Sequence, residues 1–198
     1  IGVLLPSGLG ITLVVFNNYM MDDLPEDEPL IQDVAYISDH YGGTRAFTMT
    51  VALTDTSKSI WNLELLQEID TVQTYLAAKY YVQVRSSLIT ALKELNRGKR
   101  SGDGNYYALP ESQKRWNSFK RAVKSSNEGE TVRLFMDSTQ TTLQINGFLD
   151  DAGNIEITQR NKELEKFLAK RDFKGVEYHL TGTSHLVDKN MRSLVQNM

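Results

Sequence analysis

Apolar and polar residues alternate through residues 46–53 (AFTMTVAL), with Phe47, Met49, Val51 and Leu53 on one side. A period of two sets one face of a strand against a core. The pattern returns ninety-six residues later in 142–149 (TLQINGFL), through Leu143, Ile145 and Leu149. The same offset relates Tyr80, Val82 and Val84 to Val176, Tyr178 and Leu180. A helical pattern lies between the strands of each pair, and another follows. The chain reads as one β-α-β-α unit used twice.

The helices have their own punctuation. Pro29 opens the first, at a position where its missing N–H is not needed. Leu30, Val34, Ile37 and Tyr41 follow at helical spacing, and Gly42-Gly43 supplies the stop. In 60–79 a continuous stripe of Ile60, Leu63, Leu66, Ile69, Val72 and Leu76 is widened by Trp61, Leu65 and Tyr75, with Ser59 as the expected N-cap. Strand 80–85 leads through Ser86-Ser87 into helix 88–96. Residues 97–110 (RGKRSGDGNYYALP) read as an exposed loop or hairpin carrying Tyr106 and Tyr107. Helix 110–125 presents Trp116, Phe119 and Val123. A linker over 125–130 precedes a strand over 131–136, with Val132, Leu134 and Met136 on one side. After the repeated strand, 150–154 is a turn. Helix 155–171 uses Ile157, Leu164, Phe167 and Leu168, strand 175–181 follows, and a last helical pattern covers 186–198.

Length and charge narrow the function. With 198 residues the chain can bury a core in one domain or two small lobes. A net charge of −3 gives no argument for nucleic acid. The absence of cysteine excludes disulfides, thiolate metal sites and thiol nucleophiles. Residues 1–21 hold no charge, and 10–16 are strongly apolar. They read either as a partly buried strand over 11–16 or as the outer end of a transmembrane helix. The final helical pattern has no C-cap signal, so both ends look cut from something larger. Residues 17–28 carry Asp22, Asp23, Glu26, Asp27 and Glu28, a solvated acidic exit whose spacing does not fit a calcium loop.

Candidate chemistry is sparse. His40, His179 and His185 form no metal-ligand spacing. There is no GxSxG element, and no glycine-rich phosphate loop opens a helix after a strand. No catalytic, cofactor-binding or metal-binding residue is assigned, no cofactor is expected, and the substrate-binding residues are unknown. The chain is not expected to be an enzyme.

The order of features nevertheless resembles a known family. An apolar stretch leads into DDLPEDEP, then into HYGGTRAF and an alternating strand, and the chain closes with GVEYHLTGTSHLVDKNMRSLVQ. Tyr41-Gly42-Gly43 before the first strand and the V-x-x-x-x-T-G run from Val176 to Gly182 are its most specific parts. This is similar to the extracytoplasmic (porter) domain of RND-superfamily exporters, of the MMPL and hopanoid-exporter type, over nearly the whole chain. The resemblance implies an α+β fold of two related β-α-β lobes, ferredoxin-like porter subdomains. It divides the chain into a membrane-proximal exit and acidic linker (1–28), a first lobe with a loop insertion (29–126), and a second lobe with a helix returning to the membrane (127–198).

It further implies a substrate-binding or conduit domain of a proton-driven exporter of lipids or other hydrophobic compounds, on the periplasmic side of the inner membrane. The partners would be the transmembrane helices and second porter loop of the same protein, a hydrophobic or lipid-like substrate, and, in some arrangements, further copies in a homo-oligomer. Nucleic acid is not among them. Closure of a cleft between the lobes, hinged near 97–110 and 125–130, is the expected local mechanism. The alternative is a soluble ferredoxin-like ligand-binding or regulatory module.

Overall fold

The long alternating segments become strands and the apolar stripes between them helices in a computed structural model that describes residues 19, 29–55, 57–171, 173 and 175–182. The order is α1 (Pro29–Tyr41), β1 (Arg45–Leu53), α2 (Leu63–Lys79), β2 (Gln83–Ser87), α3 (Leu88–Gly98), a single 3-10 turn (Gly104–Tyr106), α4 (Gln113–Lys124), α5 (Glu128–Arg133), β3 (Thr142–Leu149), α6 (Asn154–Arg171) and β4 (Val176–Thr181). The apolar 1–18 and the closing helical pattern of 186–198 lie outside the described residues. Among the described residues no helix is long and apolar enough to cross a membrane.

The fold class is α+β, but the two β-α-β units do not stand as separate lobes. Their strands interleave in one four-stranded sheet of order β2-β3-β1-β4, with every neighbouring pair antiparallel. This is a split β-α-β arrangement, in which each unit leaves a gap that a strand of the other fills. The repeat is visible in the register. Met49 pairs with Ile145, its own equivalent ninety-six residues on, so the two halves meet at the centre of the β1 and β3 ladder. One core follows from one sheet. Phe47, Met49 and Val51 of β1 and Leu143 and Ile145 of β3 join Leu66, Ile69 and Leu76 of α2 and Leu164 of α6 in a single buried cluster. Tyr75 and Phe167 stack at 3.9 Å where α2 meets α6.

The two expected hinges are also packed. Residues 125–130 are not a free linker, and 131–136 is not a strand. Glu128–Arg133 is helical, Gly129 and Val132 are buried, and Leu134 points to solvent at 83 % exposure. Of the expected strand, Met136 makes one isolated bridge to Leu143. Val123 of α4 and Val132 of α5 belong to the common cluster, so the boundary between 126 and 127 falls inside the core. Among the described residues there is no cleft between lobes to close.

The loop 97–110 is tied down as well. The Asn96 amide donates to the carbonyl oxygens of Tyr106 and Ala108 at 3.2 and 2.9 Å. Arg100 lies over the Tyr106 ring, and Lys93 and Arg97 over Tyr107.

Two boundaries move for local reasons. Asn62, not Ser59, caps α2: its side chain accepts from the Leu65 amide at 3.1 Å, while Ser59 accepts from Trp61 one turn earlier. Strand β2 starts at Gln83 because Tyr80 to Val82 are used in ending α2. Tyr81 takes φ 62, and the Val82 amide donates back to the Leu76 carbonyl at 3.0 Å. The left-handed Tyr81 thus turns the chain back on the last turn of α2 without glycine.

Candidate functional site

The strands bury one face and leave the other open, and the open face is unusual in its chemistry. Along β1 it presents Ala46, Thr48, Thr50 and Ala52, and along β3 Thr142, Gln144, Asn146 and Phe148. Neither strand places a charged side chain there, in a chain that is 24 % charged. Hydroxyls and amides bond across the strands. Thr48 donates to the Asn146 amide oxygen at 3.0 Å, and the Thr50 and Thr181 hydroxyls lie 3.3 Å apart. The result is a half-exposed face whose two central strands are neutral, flanked on β4 by Glu177 and His179, the register partners of Ala52 and Thr50. Depletion of charge is the compositional mark of the centre of a protein interface.

A second surface lies on α1. No residue of the helix is buried, and Leu30, Ile37 and Tyr41 of its apolar stripe are 50, 46 and 60 % exposed, so among the described residues nothing covers them fully. The helix is held at its C-terminal end. The amides of Gly42 and Gly43 both donate to the Ser38 carbonyl, and Arg85 of β2 donates to the Tyr41 carbonyl at 2.7 Å. Gly43 then passes against the end of β3 so closely that a β-carbon on it would lie 1.8 Å from the Leu149 carbonyl oxygen. The Tyr41-Gly42-Gly43 element is thus the fixed joint between an uncovered helix and the sheet.

Beside this joint lies a densely connected polar group. Arg160 of α6, 6 % exposed, reaches Asp150 at 3.0 Å, Glu156 at 2.5 Å and the Tyr80 carbonyl at 3.2 Å, with its guanidinium 4.8 Å from the Tyr81 ring. Burial opposes its charge, but the two carboxylates outweigh it and raise its pKa above the ordinary value. Arg45, also buried, donates to the Ala152 carbonyl at 2.8 Å and lies 3.9 Å from Asp151. Together they clamp the 150–154 turn and the α2–β2 turn to the sheet. Each carboxylate here is matched to a guanidinium, so the group holds structure and offers no free acid or base.

No family model, curated protein or solved structure matches this chain.

The histidines are dispersed. His40 stacks on Tyr36 at 3.9 Å with Nδ1 2.8 Å from the Tyr36 carbonyl oxygen. His179 lies on the exposed edge strand 3.3 Å from Glu177. His185 falls outside the described residues. Among the described residues no three His, Cys, Asp or Glu side chains gather as metal ligands would. The neutral sheet face had a signal in the sequence: every second position of 46–52 and 142–148 lacks charge.

Proposed function

We propose that this chain is an extracytoplasmic domain of an RND-type membrane exporter, of the MMPL and hopanoid-exporter type, and that it forms one ferredoxin-like porter subdomain. Its role is to present a substrate-binding or conduit surface outside the membrane, moved as one rigid body by the transmembrane part. The observation that carries this reading is a pair of exposed surfaces, the neutral centre of the sheet face on β1 and β3 and the apolar stripe of α1. A module working alone gains nothing from an amphipathic helix with no burial, because an isolated helix of this length has marginal stability in water. A domain that packs into a larger assembly covers both surfaces there. The order of DDLPEDEP, Tyr41-Gly42-Gly43 and the run from Val176 to Gly182 supports the same assignment.

The chain's lack of cysteine gives a direct test. A single cysteine introduced at exposed Lys166 of α6, away from both surfaces, in a complete gene product freed of any other cysteine reacts with a membrane-impermeant maleimide in intact cells if the domain is extracytoplasmic. Labelling only after lysis contradicts the proposal. The ligand-binding module remains the second reading, favoured by a groove beside α4.

A further inference from the structure

We infer that the groove between the 97–110 loop and α4 is a binding site for an amphiphilic anion, an apolar body carrying a phosphate, sulfate or carboxylate head. The inference does not depend on the exporter reading. The groove encloses about 380 Å³, within the range of small-molecule sites. Its inner wall is apolar, made by Leu109, Pro110 and Phe119, and its rim is cationic, made by Lys99, Arg100 and Arg115. Among the described residues Glu111 is the one carboxylate that lines it. Asn105 and Ser118 add neutral hydrogen-bonding groups at the same rim.

The charge on this side is lopsided. Helix α4 reads QKRWNSFKRAVK, with Lys114, Arg115, Lys120, Arg121 and Lys124 and no acidic residue. The whole chain, by contrast, has a net charge of −3. Of the rim cations, Lys99 is engaged by Glu128 at 3.1 Å. Arg100 rests over the Tyr106 ring at 5.1 Å, and neither it nor Arg115 forms a salt bridge among the described residues. Two guanidiniums without carboxylate partners, above an apolar wall, suit a head group that accepts several hydrogen bonds and a tail that prefers to leave water. An ordered wall matters as much. Ser112 caps α4, and Asn96 fixes the loop, so little ordering is left for the ligand to impose.

The test is a titration of the 198-residue chain by calorimetry with monomeric dodecyl phosphate below its micelle concentration. Inorganic phosphate (head alone) and dodecyl maltoside (neutral head) are the controls. The inference expects dodecyl phosphate to bind about ten-fold or more tightly than either control. Arg115→Gln, which breaks no salt bridge, should weaken it about ten-fold, as loss of a charged hydrogen bond does. Arg100→Gln, which also disturbs Tyr106, should do at least as much. Added salt should weaken binding of the wild type more than that of a variant carrying both substitutions, in which Lys99 remains. Equal binding of dodecyl maltoside, equal binding of inorganic phosphate, or an unchanged affinity in Arg115→Gln would each overturn the inference. Binding to vesicles of anionic phospholipid without binding to the monomer would overturn it in favour of a membrane-surface contact.

Discussion

Replacing Gly43 by alanine should damage this protein far more than replacing Gly42, although the two are adjacent and both have positive φ. Gly42 has φ 77, and the three atoms nearest an added β-carbon would all belong to the end of the Gln83 side chain. That side chain is exposed and can swing away. The cost is then the left-handed backbone alone, roughly 1–2 kcal/mol. Gly43 has φ 119, and its β-carbon would fall 1.8 Å from the Leu149 oxygen, 2.1 Å from its carbonyl carbon and 2.6 Å from the Asp150 amide nitrogen. These are backbone atoms. They cannot rotate aside, because Leu149 is paired with Arg45 in the central ladder and Asp150 is held by Arg160. Relief requires β1 and β3 to part by roughly 1 Å or more at that end, an overpacking cost of about 1–3 kcal/mol added to roughly 1–2 kcal/mol of backbone strain.

Gly43→Ala should therefore lose about 2–5 kcal/mol and Gly42→Ala about 1–2 kcal/mol. Urea unfolding followed by tryptophan fluorescence reads the difference, since Trp61 and Trp116 are both buried and the midpoint shifts in proportion to stability. Equal midpoints for the two variants would refute the reasoning, and so would a Gly43→Ala midpoint at the wild-type value.

Other outcomes follow from single contacts. Among the described residues the buried Tyr178 hydroxyl has no hydrogen-bond partner, and burial raises its pKa far above the usual range. Tyr178→Phe should leave stability unchanged or raise it by about 1 kcal/mol, measured by the same unfolding, and a loss would show a partner for the hydroxyl. Arg160→Met should cost about 1–3 kcal/mol, chiefly through the lost hydrogen bond to the Tyr80 carbonyl, since Asp150 and Glu156 are more than half exposed and return to water; an unchanged stability would contradict the clamp. Asp137 has its pKa lowered to about 2, chiefly by the Thr139 hydroxyl and then by the Thr142, Thr141 and Thr139 amides. Because the folded value lies below the unfolded one, near 3.9, its contribution is complete above about pH 4 and fades as pH falls toward 2. Asp137→Asn should flatten the pH dependence of stability within that window, and an unchanged slope between about pH 4 and 2 would contradict the assignment.

The strongly periodic segments are legible in the amino-acid order alone. In 46–53 and 142–149 the residues that alternate are the ones that alternate in burial, and the stripe of α2 is buried from Leu63 to Leu76. Trp116, Phe119 and Val123 of α4 are buried as their spacing requires. Short segments mislead where two periods fit the same letters. Val132, Leu134 and Met136 alternate like a strand, yet Gly129 and Val132, three apart, make the buried edge of a helical turn while Leu134 stays in water. Tyr80 and Val82 are buried because they close α2, and side-chain pattern alone does not separate that from the first residues of β2.

The largest difference concerns assembly. A repeat in sequence is equally compatible with two lobes side by side and with two units interleaved, because both satisfy the same local periodicity. The pairing of Met49 with Ile145 decides it. The neutral sheet face is readable as missing charge. The groove is not, because Arg100, Leu109 and Arg115 meet only through the folding of the 97–110 loop onto α4.

The assignment to an exporter is tested most directly by the coding sequence on either side of this chain. The account predicts several hydrophobic spans of roughly 20 residues on both sides, with acidic residues inside some of them and a second, related extracytoplasmic segment. An open reading frame that begins and ends close to residues 1 and 198, with no such spans, would contradict it and leave an independent ligand-binding module in its place.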